Sequence, residues 1–192
     1  MTTIYLVRHC EFENPEKVVP FRLPGFPLNT KGKRGAKLLA DYFKDKKIAA
    51  IYSSPLLRAK QTTELIASKL NLKVQVSPLL LETKTPLQGM KREEFFRKYD
   101  FIFGEEEHLK RGGEAIEEVN TRVKKFIKGI LKKHSNQKVV VISHGDPLMV
   151  IQPFLLRGKL KEAPGAVIII FPWVEFLSSY LKRTGSSGLI QE

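Results

Sequence analysis

Short β-branched runs alternate along the chain with longer stretches in which apolar residues recur at helical spacing. Runs at 3–7 (TIYLV), 48–52 (IAAIY), 73–76 (KVQV), 138–142 (KVVVI), 166–171 (AVIIIF) and 174–181 predict strands. Between the first two, Ala36, Leu39, Ala40 and Phe43 share one face of a helix over 31–46, with Thr30 as its cap. Ser54 and Pro55 predict the start of a second helix, over 55–70, which buries Thr62, Leu65, Ile66 and Leu70. A third, over 114–133, turns Val119, Val123, Phe126, Ile127, Ile130 and Leu131 inward. This alternation predicts an α/β fold, a three-layer sandwich with a mostly parallel central sheet flanked by helices.

The segment 83–113 fits no strand pattern and carries Phe95, Phe96, Tyr99, Phe101 and Phe103 among charged residues. Aromatics interleaved with cations could stack on single-stranded nucleic acid, but Glu105, Glu106 and Glu107 would repel a phosphate backbone. The preferred reading is a small helix-plus-loop cap over the sheet. At 192 residues and 42% hydrophobic composition the chain is sized for a single domain over 1–192, with that cap as an insertion. The tail at 183–192 is expected to fray.

Charge changes this picture little. The net +13 favours anionic partners, yet the lysines of 31–47 and 122–138 are interleaved with apolar residues at helical spacing and read as solvated helix faces. Nucleic acid is therefore the less favoured partner. One cysteine excludes an internal disulfide framework, and no Cys/His cluster has zinc-ligand spacing, so a reducing, cytoplasmic setting and no metal are expected. The N-terminus MTTIYLVRH lacks the basic flank and cleavage site of a signal peptide. The apolar stretch at 166–177 is too short to span a membrane and contains Pro172 and Glu175. Nothing in the sequence sets the oligomeric state.

Candidate chemistry lies where strands end. In open α/β sheets, ligands bind beyond the carboxyl ends of the strands. Arg8 and His9 follow the first strand, Arg58 lies early in the helix after the second, and His144 follows VVVIS. Each has a bland alternative: His144 could close a turn before Gly145, and Arg58 could pair with Glu64 or Asp41. Together, two guanidiniums and two imidazoles on one rim suit a phosphoryl group, whose oxygens accept forked donors.

The stretch LVRHCEFENP resembles the RHG motif of the histidine phosphatase superfamily, the phosphoglycerate mutase-like fold. The resemblance continues through RLPGFPLNTKGKRGAKLLADYF, IYSSPLLRAKQTTELIA, LLLETKTPLQG, RGGEAIEEVNTRV and VVVISHGDPL, in the family's order over most of 1–150. It implies a phosphomonoester hydrolase in which His9 is the nucleophile and forms a phosphohistidine, while Arg8, Arg58 and His144 hold the phosphoryl oxygens. It places the proton donor at Glu82, with Glu11 and Glu13 as competitors, and a substrate contact at Asn14. Glu114 matches the family's Gly-Glu helix start, a position that an N-terminal carboxylate would equally explain. Cofactors are expected to be absent, because the arginines and His144 can stabilise equatorial charge. The implied partner is a small, anionic phosphorylated substrate.

Several positions depart from the family pattern. Cys10 stands where glycine is usual and is expected to crowd the phosphate or to force a backbone angle suited to glycine. Phe12 replaces a small or hydroxylated residue, and Gly35 and Ala115 are lesser differences. The dipeptide His9-Cys10 also begins the loop of cysteine-dependent phosphatases, but Glu16 stands where their arginine would be. Two other readings stay open within the site: phosphoglycerate mutase-type transfer, and a non-catalytic module that binds phosphorylated ligands or nucleic acid. The compact cap favours the phosphatase.

Overall fold

The computed structural model describes residues 1–99, 106–156 and 167–171. In chain order the elements are β1 (Thr3–Arg8), α1 (Thr30–Phe43), β2 (Ile48–Ser53), α2 (Leu57–Leu70), β3 (Val74–Val76), a 3-10 turn (Pro78–Leu80), α3 (Arg92–Lys98), α4 (Glu106–Lys110), α5 (Ile116–Lys133), β4 (Lys138–Ser143), α6 (Gly145–Leu156) and β5 (Val167–Phe171). The five strands form one sheet in the order β3-β2-β4-β1-β5, and every pairing is parallel.

Alternation within the strands explains the layers. Ile4, Leu6, Val139 and Val141 join a core with residues of α5 and α6, whereas Tyr5, Val7, Val140 and Ile142 join another with residues of α1 and α2. Successive strand side chains point to opposite faces, and with both faces covered the central strands read as unbroken apolar runs. The sandwich expected from the sequence is therefore present.

The helix faces follow the sequence pattern with local differences. All four residues predicted for α1 are buried. On α2, Thr62 and Ile66 are buried, while Leu65 and Leu70 are half-buried and Arg58, Ala59, Thr63 and Ala67 fill the inner face. On α5, Val119, Val123, Phe126, Ile127 and Ile130 are buried and Leu131 is half-buried. Asn29, rather than Thr30, caps α1, its side chain accepting the Gly32 N–H at 2.7 Å. No side chain caps α2, which begins at Leu57 with Leu56 at its N-cap; Ser54 lies two residues earlier, where its Oγ accepts the Leu56 N–H at 3.4 Å and engages His144.

The 145–156 stretch was not expected to be a helix; Pro147 sits in its first turn, where a missing N–H leaves no intrahelical bond unmade. In the cap, α3 buries Phe95 and Tyr99 and leaves Phe96 exposed. Phe101, Phe103, Glu105, the strand expected at 174–181 and the tail at 183–192 lie outside the described residues. Among the described residues, no helix is long and apolar enough to cross a membrane.

Candidate active site

Parallel register delivers three strand ends to one rim. Arg8 opposes Ser143, and Ser53 opposes Ile142. One residue further on, the His9 N–H donates to the Ser143 carbonyl and the Ser54 N–H to the Ile142 carbonyl, each at 3.0 Å. His9, Ser54 and His144 therefore leave the sheet side by side, and Arg58 reaches them from the first turn of α2. A cleft of ≈ 1630 Å³ opens at this edge, lined by Arg8, His9, Arg58, Glu82 and Asp146 among others. His144 is fully buried beside it, its ring centroid 5.0 Å from that of His9.

The two ring contacts of His9 fix its tautomer. Its Nδ1 faces the Cys10 carbonyl at 2.8 Å, and a carbonyl only accepts, so the ring hydrogen belongs on Nδ1 and the lone pair on Nε2. Arg58 Nε donates to that Nε2 at 3.1 Å. Burial holds the imidazole well below its ordinary pKa, and the Arg58 and Arg8 guanidiniums lower it further.

Arg58 is fully buried, and its Nη2 donates to the Phe21 carbonyl at 2.8 Å. Among the described residues its Nη1 has no partner, nor has Nδ1 of His144. Buried polar groups left unpaired cost about 1–3 kcal/mol each, so two at one place mark a binding position rather than a packing solution. Burial lowers the Arg58 pKa to about 10, which leaves it charged at neutral pH. Ser54 Oγ engages His144 Nε2 at 2.7 Å. Burial, then His9 and the arginines, keep the His144 ring neutral. The bland alternative for Arg58 is absent: Asp41 pairs with Lys69 at 3.6 Å instead.

Glu82 is buried, with its Oε1 accepting the Thr83 N–H at 2.9 Å. Burial pushes its carboxyl up to about 8, Asp146 adds to this, and the Thr83 N–H, Arg58 and Arg8 oppose it. Glu82 thus keeps a proton at neutral pH. Asp146, also raised by burial, was missed in the sequence, although its place two residues past His144 at a strand end offered the same signal as the other rim groups. Of the competitors, Glu13 is exposed, and Glu11 bonds Asn29 Nδ2 at 2.8 Å and pairs with Lys31 at 3.1 Å. Those contacts hold Glu11 below the ordinary carboxyl range, the wrong direction for an acid.

Asn14 lines the cleft but commits both ends of its amide to Val18, donating to its carbonyl at 2.8 Å and accepting its N–H at 3.1 Å. It shapes the loop in this state of the protein. Glu114 precedes α5 and is not its N-terminal carboxylate; it pairs with Arg22 at 2.8 Å and Arg122 at 2.6 Å. Arg122 belongs to the stretch expected to be a solvated face, yet its side chain is 13% exposed.

The departures at positions 10 and 12 are accommodated. Cys10 has no positive φ, so the backbone strain expected there does not arise. Its N–H donates to Thr62 Oγ1 at 3.0 Å, its side chain packs in the α1/α2 core, and burial pushes the thiol up to about 12. A thiol so protonated is a poor nucleophile. Phe12 stands edge-on to His9, with ring centroids 5.3 Å apart, and its face lies 5.3 Å from the Arg58 guanidinium carbon. It packs against His9 and Arg58 where a small or hydroxylated residue was expected. The loop they share is pressed onto α1 at Gly32, where any side chain would strike the Glu11 carbonyl.

A lone-pair imidazole nitrogen, two guanidiniums, one of them with a spare donor, and a protonated carboxyl, gathered beyond the carboxyl edge of a parallel sheet, define a phosphoryl-transfer type of site. The chain belongs to the histidine phosphatase superfamily (branch 1), whose sequence model matches residues 4–167. It is 39% identical over 172 residues to phosphoserine phosphatase 1 of Hydrogenobacter thermophilus, spanning 84% of this chain and 80% of that protein. It is 30% identical over 164 residues to a probable phosphoglycerate mutase GpmB of Yersinia enterocolitica, spanning 81% and 75% of the two chains. The solved structure of Bacillus stearothermophilus YhfR superposes with a TM-score of 0.69 at 27% identity, over 85% of this chain and 82% of that one.

Proposed function

We propose that this protein hydrolyses small anionic phosphomonoesters through a phosphohistidine at His9, without a metal ion. The observation that carries this reading is the His9–Arg58–Glu82 arrangement: a neutral imidazole with its lone pair on Nε2 and a carboxyl that retains its proton, lining one cleft.

A phosphoryl group entering the cleft offers oxygens to Arg8 and Arg58, so Arg58 Nε–H leaves His9 Nε2 and frees its lone pair. Nε2 attacks phosphorus, the bond to the leaving oxygen breaks, and Glu82 gives that oxygen its proton. With Ser54 donating to Nε2 of His144, the His144 hydrogen sits on Nδ1, the nitrogen without a partner among the described residues, and supports the equatorial oxygens. In the second half, ionised Glu82 takes a proton from water, the water oxygen attacks phosphorus, and His9 Nε2 departs. Water as acceptor makes a phosphatase; a free hydroxyl on an already phosphorylated substrate would make a mutase. The higher identity to a phosphatase than to a mutase, 39% against 30%, favours water.

The mouth of the cleft combines the cations Arg34 and Arg92 with the exposed apolar side chains of Leu38, Phe96 and Met149. Such a rim suits an anionic ester whose leaving group has some apolar surface. The deciding experiment is phosphate release from p-nitrophenyl phosphate with chelator present, together with labelling of the protein by a radioactive ester. The expected result is chelator-insensitive turnover and an acid-labile label lost in His9→Ala. Turnover surviving in His9→Ala, or stopped by chelator, overturns the reading.

A further inference from the structure

We propose that Glu114, Arg22 and Arg122 form a clamp that positions Glu82 against the leaving oxygen, a role that rests on Glu82 being the acid of the hydrolysis above. The segment from Leu79 to Lys84 joins no strand; Ser143 Oγ of β4 holds the Leu80 carbonyl, and this trio takes up the carbonyls of Leu79, Leu81, Glu82 and Lys84. Arg122 Nη1 donates to the carbonyls of Leu79 and Leu81 at 2.8 and 2.7 Å. Arg22 Nε donates to the Glu82 carbonyl at 2.6 Å, and Arg122 Nη2 reaches the same oxygen at 3.4 Å. Glu114 then grips Lys84 on both sides: its N–H donates to the Lys84 carbonyl at 2.8 Å, and its Oε2 accepts the Lys84 N–H at 3.1 Å. The main chain on either side of Glu82 is thereby fixed, while its side chain lines the cleft.

Glu114 is the hub because two like charges converge on one short segment. Arg122 meets it in a fork, Nε to Oε1 at 2.6 Å and Nη2 to Oε2 at 3.1 Å, and Arg22 Nη2 meets Oε2 at 2.8 Å. Burial acts to raise this carboxyl, but its bonds to Arg122 and Lys84 hold it below the ordinary range. The preceding glycines let the hub come close. Gly112 has φ +79°, and a side chain at Gly113 would strike the ring of His108, whose Nε2 in turn bonds the Glu114 carbonyl at 3.0 Å.

Arg22 adds a second constraint. Its neighbour Phe21 accepts from Arg58 Nη2 at 2.8 Å, so adjacent residues of one loop hold the phosphate-side arginine and the main chain of the acid. The spacing between phosphoryl group and proton donor is set through that loop. Displacement of a donor by about an ångström is enough to cost about 10²-fold in rate.

The test uses two esters that differ by one methylene: p-nitrophenyl phosphate, whose phenolate leaves unaided, and p-nitrobenzyl phosphate, whose alkoxide needs a proton. Glu114→Gln and Arg22→Met are each expected to lose about 10- to 100-fold in kcat/KM on the benzyl ester and less than about threefold in kcat/KM on the phenyl ester, because kcat/KM reports the first half-reaction, before Glu82 is needed as the base for water. Glu82→Gln should show the same selectivity, and the alkaline limb of kcat/KM on the benzyl ester should weaken in all of them. Arg22→Met leaves the Glu114–Arg122 pair in place and keeps the test available if Glu114→Gln does not fold. Equal losses on both esters, or no loss on the benzyl ester, overturn the clamp while leaving the hydrolase standing. Wild-type protein that releases phosphate from neither ester overturns the hydrolase reading and the clamp with it.

Discussion

His134 and His144 bracket β4, one at each end of the same strand, and both are buried. Around His134 every ring nitrogen is answered: Tyr52 Oη lies 2.9 Å from Nε2 and Gln137 Oε1 lies 2.7 Å from Nδ1. Around His144 only Nε2 is answered, by Ser54, and Nδ1 has no partner among the described residues. His134 also stands edge-on to the Tyr52 ring and has a Thr2 hydroxyl bonded to its carbonyl, whereas His144 faces His9 and lies in the fields of Arg58 and Arg8. A satisfied buried imidazole stabilises the fold; an unsatisfied one beside charges of one sign is held in readiness for an anion. The amino end of this sheet is built for stability and the carboxyl end for binding.

That contrast breaks most sharply at the nucleophile. His9→Ala should reduce phosphate release more than about 10⁴-fold, because no neighbouring group offers a lone pair at Nε2's position. Steady-state release of inorganic phosphate checks it, and turnover above one per cent of wild type removes His9 from the reaction. Glu82→Gln should cost about 10²- to 10⁴-fold in kcat/KM on the benzyl ester and little in kcat/KM on the phenyl ester, while kcat falls on both where water attack limits turnover. For wild type on the benzyl ester, the same acid should make kcat/KM fall as pH rises through about 8, because Glu82 must be protonated to act.

His144→Ala should lower kcat about 10²-fold through loss of an oxyanion donor. His134→Ala should leave kcat within about threefold while reducing unfolding free energy by about 1–3 kcal/mol, read from urea denaturation. If the two histidine variants behave alike in kcat, the two ends of β4 do not differ as described.

The smallest effect lies in the pH dependence of stability. His9 and His144 stay neutral in the fold, while the unfolded chain protonates its histidines below about 6.5, so their contribution is lost as pH falls through that value. Glu82 works in the other direction: it binds a proton up to about 8 in the fold and loses it near 4.5 when unfolded, so stability declines as pH rises between those values. Thermal melts from pH 5 to pH 9 should show both declines, and Glu82→Gln should flatten the alkaline one alone. An unchanged alkaline decline in that variant would show that Glu82 carries no raised pKa.

Much of the rim was legible because two kinds of local signal coincide there. Arg8, His9 and His144 follow β-branched runs, and a parallel sheet sends the residues after such runs to the same edge. Arg58 was readable from its place in the first turn of the helix after β2. Asp146 stood within the same signal and was passed over. Arg22 and Arg122 could not be found in this way: one sits in an irregular loop, and the other among lysines of an amphipathic helix, where its sequence neighbours Lys125 and Lys128 are exposed. Asn14 was picked out by resemblance, and its amide is taken up by Val18.

The order of apolar and polar residues by itself determined the layers, since a period of two sets which strand residues face which helices, and a helical period sets the face each helix buries. It also put chemistry at strand ends. Only the tertiary structure decided which buried groups are satisfied and which are not. Whether Ser54 caps a helix or bonds His144, or whether Glu114 serves its own helix or two arginines from distant segments, depends on the polar atoms that packing brings within about 3 Å, and hydrogen-bond energy falls off too steeply with distance and angle for sequence spacing to reveal it.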